Sequence, residues 1–323
     1  MFYIDMKNIF KRLVMKQKFL LLAVVFTFTS CVKDVSVYQP IDISRFDFFE
    51  EVEIPAPASG MLSVVTSKDS GDTLMISRVA APLEKGIFED IEISYVPAVR
   101  TRAASEYLLP EGVMTVWNKK YMVMFEDTEN GDNDYNDCVF WVKTEKEGST
   151  NIGLRLKKVT VYPVALGSSD ATVIDFGMVL PDESERKVSN VRKELFKSQK
   201  GFINTESPDA ETDEFKAKEL LEEAVVGNEI NGVRFFIEVN DKRIYAAYGG
   251  TDGYSGVNVS KNGMPCGIVL SQPKEYPQEK VSINTVYPSF DKWLRGESKK
   301  PFDKAEGQYV QWESCLLYTS PSP

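Results

Sequence analysis

Residues 121–142 read YMVMFEDTENGDNDYNDCVFWV. Two apolar runs rich in β-forming residues, Tyr121–Phe125 and Cys138–Val142, flank a stretch that is almost entirely polar. Runs of this length and composition predict buried strands. The stretch therefore predicts two neighbouring strands that are joined by an acidic loop.

Similar short β-like runs continue on both sides of this hairpin and are separated by polar breaks. They lie at residues 51–54, 61–65, 73–79, 91–96, 154–164, 171–180, 233–239, 243–247 and 267–270. Many short strands with few helices favour a mainly β chain with a β-sandwich or jelly-roll-like domain. We expect a small N-terminal β unit over residues 46–105 and the main β domain over residues 106–314.

Two or three helices are expected as insertions between these strands. Glu185–Lys200 and Glu211–Val226 place apolar residues at helical spacing, and Ser207-Pro208-Asp209 before the second is a helix-start signal. A last short helix is expected around Phe290, Trp293 and Leu294.

The acidic loop carries six carboxylates and no cation between Glu126 and Asp137. Like charges at this density repel one another, and a bound divalent cation would remove the repulsion. Calcium prefers six to eight oxygen ligands, whereas magnesium keeps its waters and rarely needs so dense a set of carboxylates. We predict a structural Ca²⁺ site with the ligands Glu126, Asp127, Asp132, Asp134, Asn136 and Asp137, in a loop that turns at Asn130-Gly131 with positive φ.

The spacing of the acidic residues also has to be compared with that of a known calcium-binding loop, the EF-hand. The Asp132-x-Asp134-x-Asn136 spacing is that of an EF-hand opening, but Asp137 and Lys143 stand where the EF-hand glycine and glutamate belong. An EF-hand is therefore excluded. Two alternatives to a calcium site stay open. The acidic side chains could cap the backbone of a wide turn, or the loop could be a solvated turn without a role.

Composition restricts the chemistry that the chain can perform. Histidine is absent and the formal net charge is −10. The absence of histidine excludes Ser-His-Asp and Cys-His catalysis and imidazole zinc sites. The net negative charge argues against nucleic-acid binding. No catalytic constellation is recognised, so we do not expect an enzyme. The alternative is a carboxylate-based glycoside hydrolase or another envelope enzyme.

The N-terminus has the pattern of an export signal. Residues 15–31 read MKQKFLLLAVVFTFTSC, with lysines, then an apolar run too short for a comfortable transmembrane helix, then small residues before Cys31. This resembles a bacterial lipobox, which implies a signal peptide over residues 1–30, a lipidated Cys31 and a tether over residues 31–45. We expect an outer-membrane lipoprotein displayed on the cell surface, with a periplasm-facing lipoprotein as the alternative.

Three further cysteines follow Cys31: Cys315, which we leave out of the fold prediction, and the pair Cys138 and Cys266. Residues 315–323, CLLYTSPSP, resemble a translated sequencing adapter and are left out of the fold prediction. Cys138 and Cys266 could form a disulfide in an oxidising compartment, or Cys138 could be a buried free thiol in its apolar run. Both alternatives stay open.

Several motifs resemble one known family. Phe125-Glu-Asp127, Gly131-Asp132 and Asp134-Tyr-Asn-Asp137 before an apolar strand resemble the signature of the LruC-domain family of bacterial surface lipoproteins. Later segments agree with this family: Asp175–Gly177, Gly201–Asn204, Pro265–Leu270, Tyr276-Pro277, Glu279, Tyr287–Phe290 and Trp293. The resemblance covers roughly residues 106–314 and implies an exported β domain with a cation loop, and no reaction.

A surface binding or structural module is the function that these observations favour. Its partners would be the membrane, through the lipid, and a glycan or an extracellular protein. Candidate contact aromatics are Trp117, Tyr245, Tyr248 and Tyr254.

Overall fold

A long antiparallel hairpin carries the acidic loop between its two strands, Val113–Phe125 and Cys138–Ser149. Tyr121 lies opposite Val142 and Met124 lies opposite Val139, so the strands stay paired almost to the start of the loop. Both predicted strands are thus confirmed, and both are longer than predicted because each continues into a polar half.

The computed structural model describes residues 49–86, 89–99, 107–151, 153–180, 182–207, 215–222, 225–226, 233–247, 264–270, 275–290 and 309–310. The predicted signal peptide, Cys31, the tether and residues 315–323 lie outside these ranges. Tyr248 and Tyr254 lie outside them too.

The strands and helices of the described residues are numbered here in chain order. The strands are β1 Phe49–Ile54, β2 Met61–Ser67, β3 Thr73–Ser77, β4 Ala81–Gly86, β5 Ile91–Pro97, β6 Val113–Phe125, β7 Cys138–Ser149, β8 Gly153–Ala165, β9 Ile174–Val179, β10 Glu185–Val188, β11 Lys218–Leu221, β12 Val225–Val226, β13 Arg234–Val239, β14 Lys242–Tyr245, β15 Gly267–Leu270, β16 Tyr276–Pro277 and β17 Tyr309–Val310. The helices are α1 Val191–Glu194 and α2 Ile283–Val286.

Within the described residues the strands form one large sheet, one medium sheet and two strand pairs. The nine-stranded sheet has the order β11-β8-β7-β6-β3-β2-β5, with β12 beside β8 and β15 beside β6. The four-stranded sheet has the order β10-β9-β13-β14, and β1-β4 and β16-β17 are separate pairs. The mainly β fold class is confirmed.

The two larger sheets pack against each other through alternate residues of the central hairpin. Tyr121, Val123 and Phe125 on β6 and Phe140 on β7 belong to the same buried cluster as Phe176 on β9. The Phe140 and Phe176 ring centroids are 4.4 Å apart. Because successive side chains of a strand point to opposite faces, this layer uses only one face of the hairpin.

The opposite face of the same two strands is covered by the chain's C-terminal part. Met122 and Met124 on β6 and Val139 and Trp141 on β7 form a second buried cluster. The residues that cover them come from β15 and from residues 275–290, and include Ile268, Leu270, Tyr276, Ile283, Val286, Tyr287 and Phe290. Burial on both faces explains why the two runs are continuously apolar in sequence.

The first two helix predictions were wrong in extent and place. Glu185–Lys200 begins as strand β10, which pairs with β9, and becomes helical only in α1. Asn190 interrupts it with φ 49° and accepts a hydrogen bond at its side chain from the Lys193 amide. The apolar positions of this stretch are buried as expected (Val188, Val191, Leu195 and Phe196), so strand pairing overrode the helical spacing.

The second predicted helix also differs from the structure. Residues 218–221 of the second form β11, which pairs with β8, and residues 211–214 lie outside the described ranges. The last predicted helix agrees with the structure at Phe290, which is helical, while Trp293 and Leu294 lie outside the described residues; α2 is a separate short helix before it.

The sheet continues across the predicted boundary near residue 105. Strands β2, β3 and β5 from the predicted N-terminal unit belong to the nine-stranded sheet, where β3 pairs with β6. Two smaller buried clusters nevertheless form around these strands, one at Val65 and Met75 and one at Leu62 and Val116. The division into two domains stays a prediction.

Neither helix in the described ranges has the length and apolar character that a membrane crossing requires.

Candidate metal centre

The acidic loop folds back against its own hairpin. Asn136 forms a parallel bridge with Phe125, the last residue of β6, and the Glu126 amide donates to the Cys266 carbonyl at 2.8 Å. Positive φ values occur at Asn133 (62°) and Tyr135 (58°), and not at Asn130-Gly131, where the sequence had suggested them. The turn is therefore made by two side-chain-bearing residues in left-handed conformation, which their neighbours must hold in place.

Tyr135 fastens the loop to the second buried cluster. Its ring is fully buried and lies edge-on to Phe290, with 6.2 Å between the ring centroids. Its hydroxyl donates to the Pro265 carbonyl at 2.6 Å. The loop is therefore built into the core and is not a solvated turn.

Three predicted ligands come together at the centre of the loop. Glu126, Asp132 and Asp134 each place a carboxylate oxygen so that these atoms lie within 4.8 Å of one another. Glu126 is 0% exposed and Asp134 1% exposed, while Asp132 is open to solvent. Among the described residues none of these three forms a salt bridge.

Glu126 is the most unusual member of this group. One carboxylate oxygen, Oε1, accepts a hydrogen bond from the Tyr135 amide at 2.6 Å. The other, Oε2, is buried and has no hydrogen-bond partner among the described residues. A buried carboxylate oxygen without a partner is costly, because desolvation of a charged group is not compensated.

Gly131 is needed because it approaches this oxygen closely. A Cβ atom at Gly131 would lie 1.6 Å from Glu126 Oε2. The glycine anticipated from the sequence is thus required, but to make room for a carboxylate and not to permit positive φ.

Of the other three predicted ligands, Asn136 and Asp137 hold backbone groups with their side chains, and Asp127 takes part through its amide. Asp137 Oδ2 accepts from the Asp127 amide at 2.8 Å, and the Asn136 side-chain amide donates to the Pro277 carbonyl at 3.2 Å. Asp134 has two roles. It belongs to the central carboxylate group, and its two oxygens accept hydrogen bonds from the Asn136 amide at 3.1 Å and the Lys280 amide at 2.7 Å. Capping and a carboxylate cluster therefore coexist in one loop.

Burial and mutual repulsion raise the pKa values of these acids. The pKa of Glu126 rises to about 9, mainly through burial and then through the charges of Asp137 and Asp134. The pKa of Asp134 rises to about 8, chiefly through burial, and that of Asp137 rises to about 7 through burial and the charge of Asp127. The ionised cluster is thus high in free energy, and protons or a cation would relieve it.

The donors present fit a hard cation. All of them are oxygens, and the buried Asn133 Oδ1 also has no hydrogen-bond partner among the described residues. Oxygen-only sites of this kind suit Ca²⁺ or Mg²⁺, whereas softer metals prefer nitrogen or sulfur.

Cys138 and Cys266 are both buried free thiols, so the bridge that they could have formed is absent from the structure. Burial raises the pKa of Cys266 to about 12, so its thiol stays protonated near neutral pH.

The sequence pattern did not single out Asn133, which lies in the loop, or Glu279, which precedes the residue whose amide donates to Asp134. Glu279 Oε2 is likewise buried without a hydrogen-bond partner in the described part of the chain. Its residue follows β16, far from the loop in sequence, so no local spacing could connect it with the acidic motif. The only sequence signal for it was its presence among the motifs that resemble the LruC-domain family.

Comparison with known proteins gives one family match and one distant structure. Residues 247–300 match the sequence profile of DUF4842, a domain of unknown function. That range contains the residues that hold the loop from the C-terminal side, Pro265, Pro277, Lys280 and Ile283. No protein in the curated set matches the chain.

The similar solved structure is that of a provisionally assigned lipoprotein from Bacteroides ovatus. The match has 15% sequence identity and a TM-score of 0.39, and it covers 79% of this chain and 100% of the other. Similarity at this level does not establish a shared fold.

Proposed function

We propose that this chain is an envelope lipoprotein whose β domain is stabilised by calcium and serves as a structural or binding module. The observation that supports the cation is Glu126 Oε2, which is buried and has no partner among the described residues, on a side chain that places a carboxylate oxygen within 4.8 Å of two further carboxylates. A bound cation would supply the partner that this oxygen lacks.

Backbone capping alone does not account for the cluster. Capping explains Asp137 and both oxygens of Asp134, which accept amide hydrogen bonds. It does not explain why Glu126 and Asp132 approach Asp134 within 4.8 Å. Calcium fits better than magnesium because a rigid, largely buried set of carboxylates replaces water ligands, which magnesium gives up reluctantly.

Thermal melting tests the cation. Saturating Ca²⁺ at about 100 times its dissociation constant adds roughly 2.7 kcal/mol, which raises the melting temperature by about 5–10 °C relative to EDTA. Glu126→Gln keeps the shape of the side chain and removes the charge, so it should abolish this difference. In EDTA, the same variant should melt near the wild-type temperature, because burial raises the pKa of Glu126 to about 9 and keeps the wild-type carboxyl largely protonated near neutral pH.

Glu129→Gln is the matched control. Glu129 lies in the same loop but pairs at the surface with Lys242, 2.6 Å away. This variant should keep the full calcium response. Identical wild-type melting curves with Ca²⁺ and with EDTA would overturn the proposal.

Anchoring and location are proposed from the sequence. The lipobox-like residues before Cys31 support a lipid anchor in the outer membrane, and the acidic motif supports membership of the LruC-domain family with display on the cell surface. Protease treatment of intact cells should then degrade the domain, whereas a periplasm-facing protein would be protected until the cells are opened.

The partner of the module would be a glycan or an extracellular protein. A glycan array and a pull-down with matrix and envelope fractions test this part. No binding in either experiment would leave a purely structural role. The buried position of Glu126 and Asp134 argues against glycoside hydrolysis at this cluster, because a sugar could not reach carboxylates that are 0% and 1% exposed.

A further inference from the structure

A groove with a volume of about 840 Å³ lies on the large sheet, remote from the acidic loop. It lies on the same face of the central hairpin as the second buried cluster. Met122 and Trp141 belong to that cluster, and Asn118 and Lys143, further along the same face of β6 and β7, line the groove. The groove therefore follows the polar half of the hairpin, where the described residues leave this face uncovered.

Strand pairing arranges the floor of the groove as two neighbouring rows of polar side chains. Asn118, Glu145 and Lys158 lie opposite one another on β6, β7 and β8. Lys143 and Thr160 form the next row. All five residues line the groove. Their amide, carboxylate, hydroxyl and ammonium groups can donate and accept hydrogen bonds along a ligand that lies across the strands.

Two tyrosines join this polar floor. Tyr162 follows Thr160 on the same face of β8 and packs against the second buried cluster. Tyr107 packs against the cluster that contains Leu62 and Val116. Both tyrosines are half-buried. A half-buried tyrosine combines an apolar ring with a polar hydroxyl, which suits the C–H faces and the hydroxyls of a sugar ring.

Lys143 stands outside the ion pairs of the groove. Three salt bridges involve the other charged residues of the lining: Lys157–Glu145, Lys158–Glu219 and Lys120–Asp72. Lys143 is exposed and forms no salt bridge with any described residue. It lies directly opposite Lys120 on β6, so two positively charged side chains are neighbours. An anionic group on a ligand would relieve their repulsion.

We propose that this groove binds a carboxylate-bearing oligosaccharide, with Lys143 contacting the carboxylate and the polar floor contacting the hydroxyls. This inference rests on the proposed binding role of the domain, and it names the ligand class and the site. An acidic peptide fits less well. Strands β6, β7 and β8 are inner strands of the sheet, so an extended peptide could not add beside them as a further strand.

Titration calorimetry of the purified protein with two pairs of sugars tests the ligand class. The pairs are tetragalacturonate with its methyl ester, and sialyllactose with lactose, all with Ca²⁺ present. In at least one pair, the acidic sugar should bind about tenfold or more tightly than its uncharged counterpart. Wild-type protein that binds neither acidic sugar, or that binds both members of each pair equally, would overturn the inference.

Variants at Lys143 test the site with the acidic sugar that binds. Lys143→Gln should weaken binding by roughly 10- to 100-fold, because it removes a hydrogen bond to a charged group. Lys143→Arg keeps the charge and should restore most of the affinity. Lys200→Gln, at an exposed lysine outside the groove, is the control and should bind like wild type. Equal affinity of Lys143→Gln and wild type would exclude this groove as the site.

The outcomes separate this inference from the proposed function. A protein that is stabilised by Ca²⁺ but binds neither acidic sugar would lose the groove assignment and keep the cation site. A ligand from the glycan array or the pull-down whose binding survives Lys143→Gln would leave the binding role and overturn the groove. A protein that binds no ligand in any of these experiments would lose the binding role and the groove together.

Discussion

Glu126 shows how one residue can determine the character of a loop. Its carboxylate is buried, one oxygen accepts from the Tyr135 amide, and Gly131 leaves it just enough room. A charge in this position raises the free energy of the empty loop and lowers it when a cation binds. A single side chain would thus make the stability of the loop depend on the proposed cation.

Lys119 is a second buried charge, remote from the loop. It lies on β6 with 17% of its side chain exposed, and Glu84 is 3.9 Å away at the surface. Burial lowers the pKa of Lys119 to about 7, although Glu84 and Glu89 oppose the shift and Lys146 adds to it. The folded protein therefore holds this lysine largely uncharged above neutral pH.

This lysine should give the protein a distinct pH dependence. Between the folded pKa of about 7 and the ordinary value of 10.5, the unfolded chain binds more protons, so stability rises with pH. The slope contributed by this one group is at most about 1.4 kcal/mol per pH unit. Lys119→Met should remove that contribution, as urea unfolding between about pH 7 and pH 10 would show.

The control for this measurement is Lys143→Met, at an exposed lysine of β7. It should retain the wild-type slope. A Lys119→Met variant with an unchanged slope would show that Lys119 is not the group responsible.

At the scale of elements, the acidic loop and the part of the chain from Pro265 to Phe290 hold each other in place. Tyr135 links them through its hydrogen bond to Pro265 and its contact with Phe290. Tyr135→Phe keeps the ring and removes the hydroxyl, leaving a buried carbonyl without that donor. We expect it to destabilise the protein by about 1–2 kcal/mol, measured by urea unfolding in Ca²⁺.

Tyr245→Phe is the comparison for this variant. The Tyr245 hydroxyl accepts from Arg243 at 3.2 Å near the surface of β14. Its loss should change stability by less than about 0.5 kcal/mol. Equal effects of the two variants would contradict the view that Tyr135 fastens the loop.

The elements also show what sequence can and cannot predict. The strands at 61–67, 91–97 and 267–270 were predictable because their apolar composition is local. Strand β10 was not, because its charged residues acquire strand geometry only by pairing with β9. In the site, the acidic residues of the loop were predictable from spacing. The backbone groups that hold them, at Pro265, Pro277 and Lys280, were not, since only tertiary folding brings them there.

At the scale of the whole molecule, the predicted lipid anchor determines where the domain is found. Cys31→Ala should move the protein from the membrane fraction to the soluble fraction and abolish incorporation of labelled fatty acid. Both follow from loss of the thiol that would carry the lipid. Fractionation with immunoblotting and metabolic labelling measure the two effects.

Cys315→Ser is the control for the anchor, because it removes a cysteine from the other end of the chain. It should leave the protein in the membrane fraction. Retention of Cys31→Ala in that fraction, with fatty acid still attached, would exclude Cys31 as the lipidated residue.

The hydrogen bonds that close the acidic loop join residues that are far apart in sequence. Bonds from Asn136, Tyr135 and Asp134 reach Pro277, Pro265 and Lys280 across 141, 130 and 146 positions. A polypeptide that emerges from a ribosome or a translocation pore N-terminus first has its acidic loop free long before these partners arrive. Closure must therefore wait until residue 280 has emerged, so the proposed ion would be captured late in folding, after the acidic loop has been exposed to solvent while the intervening residues are made.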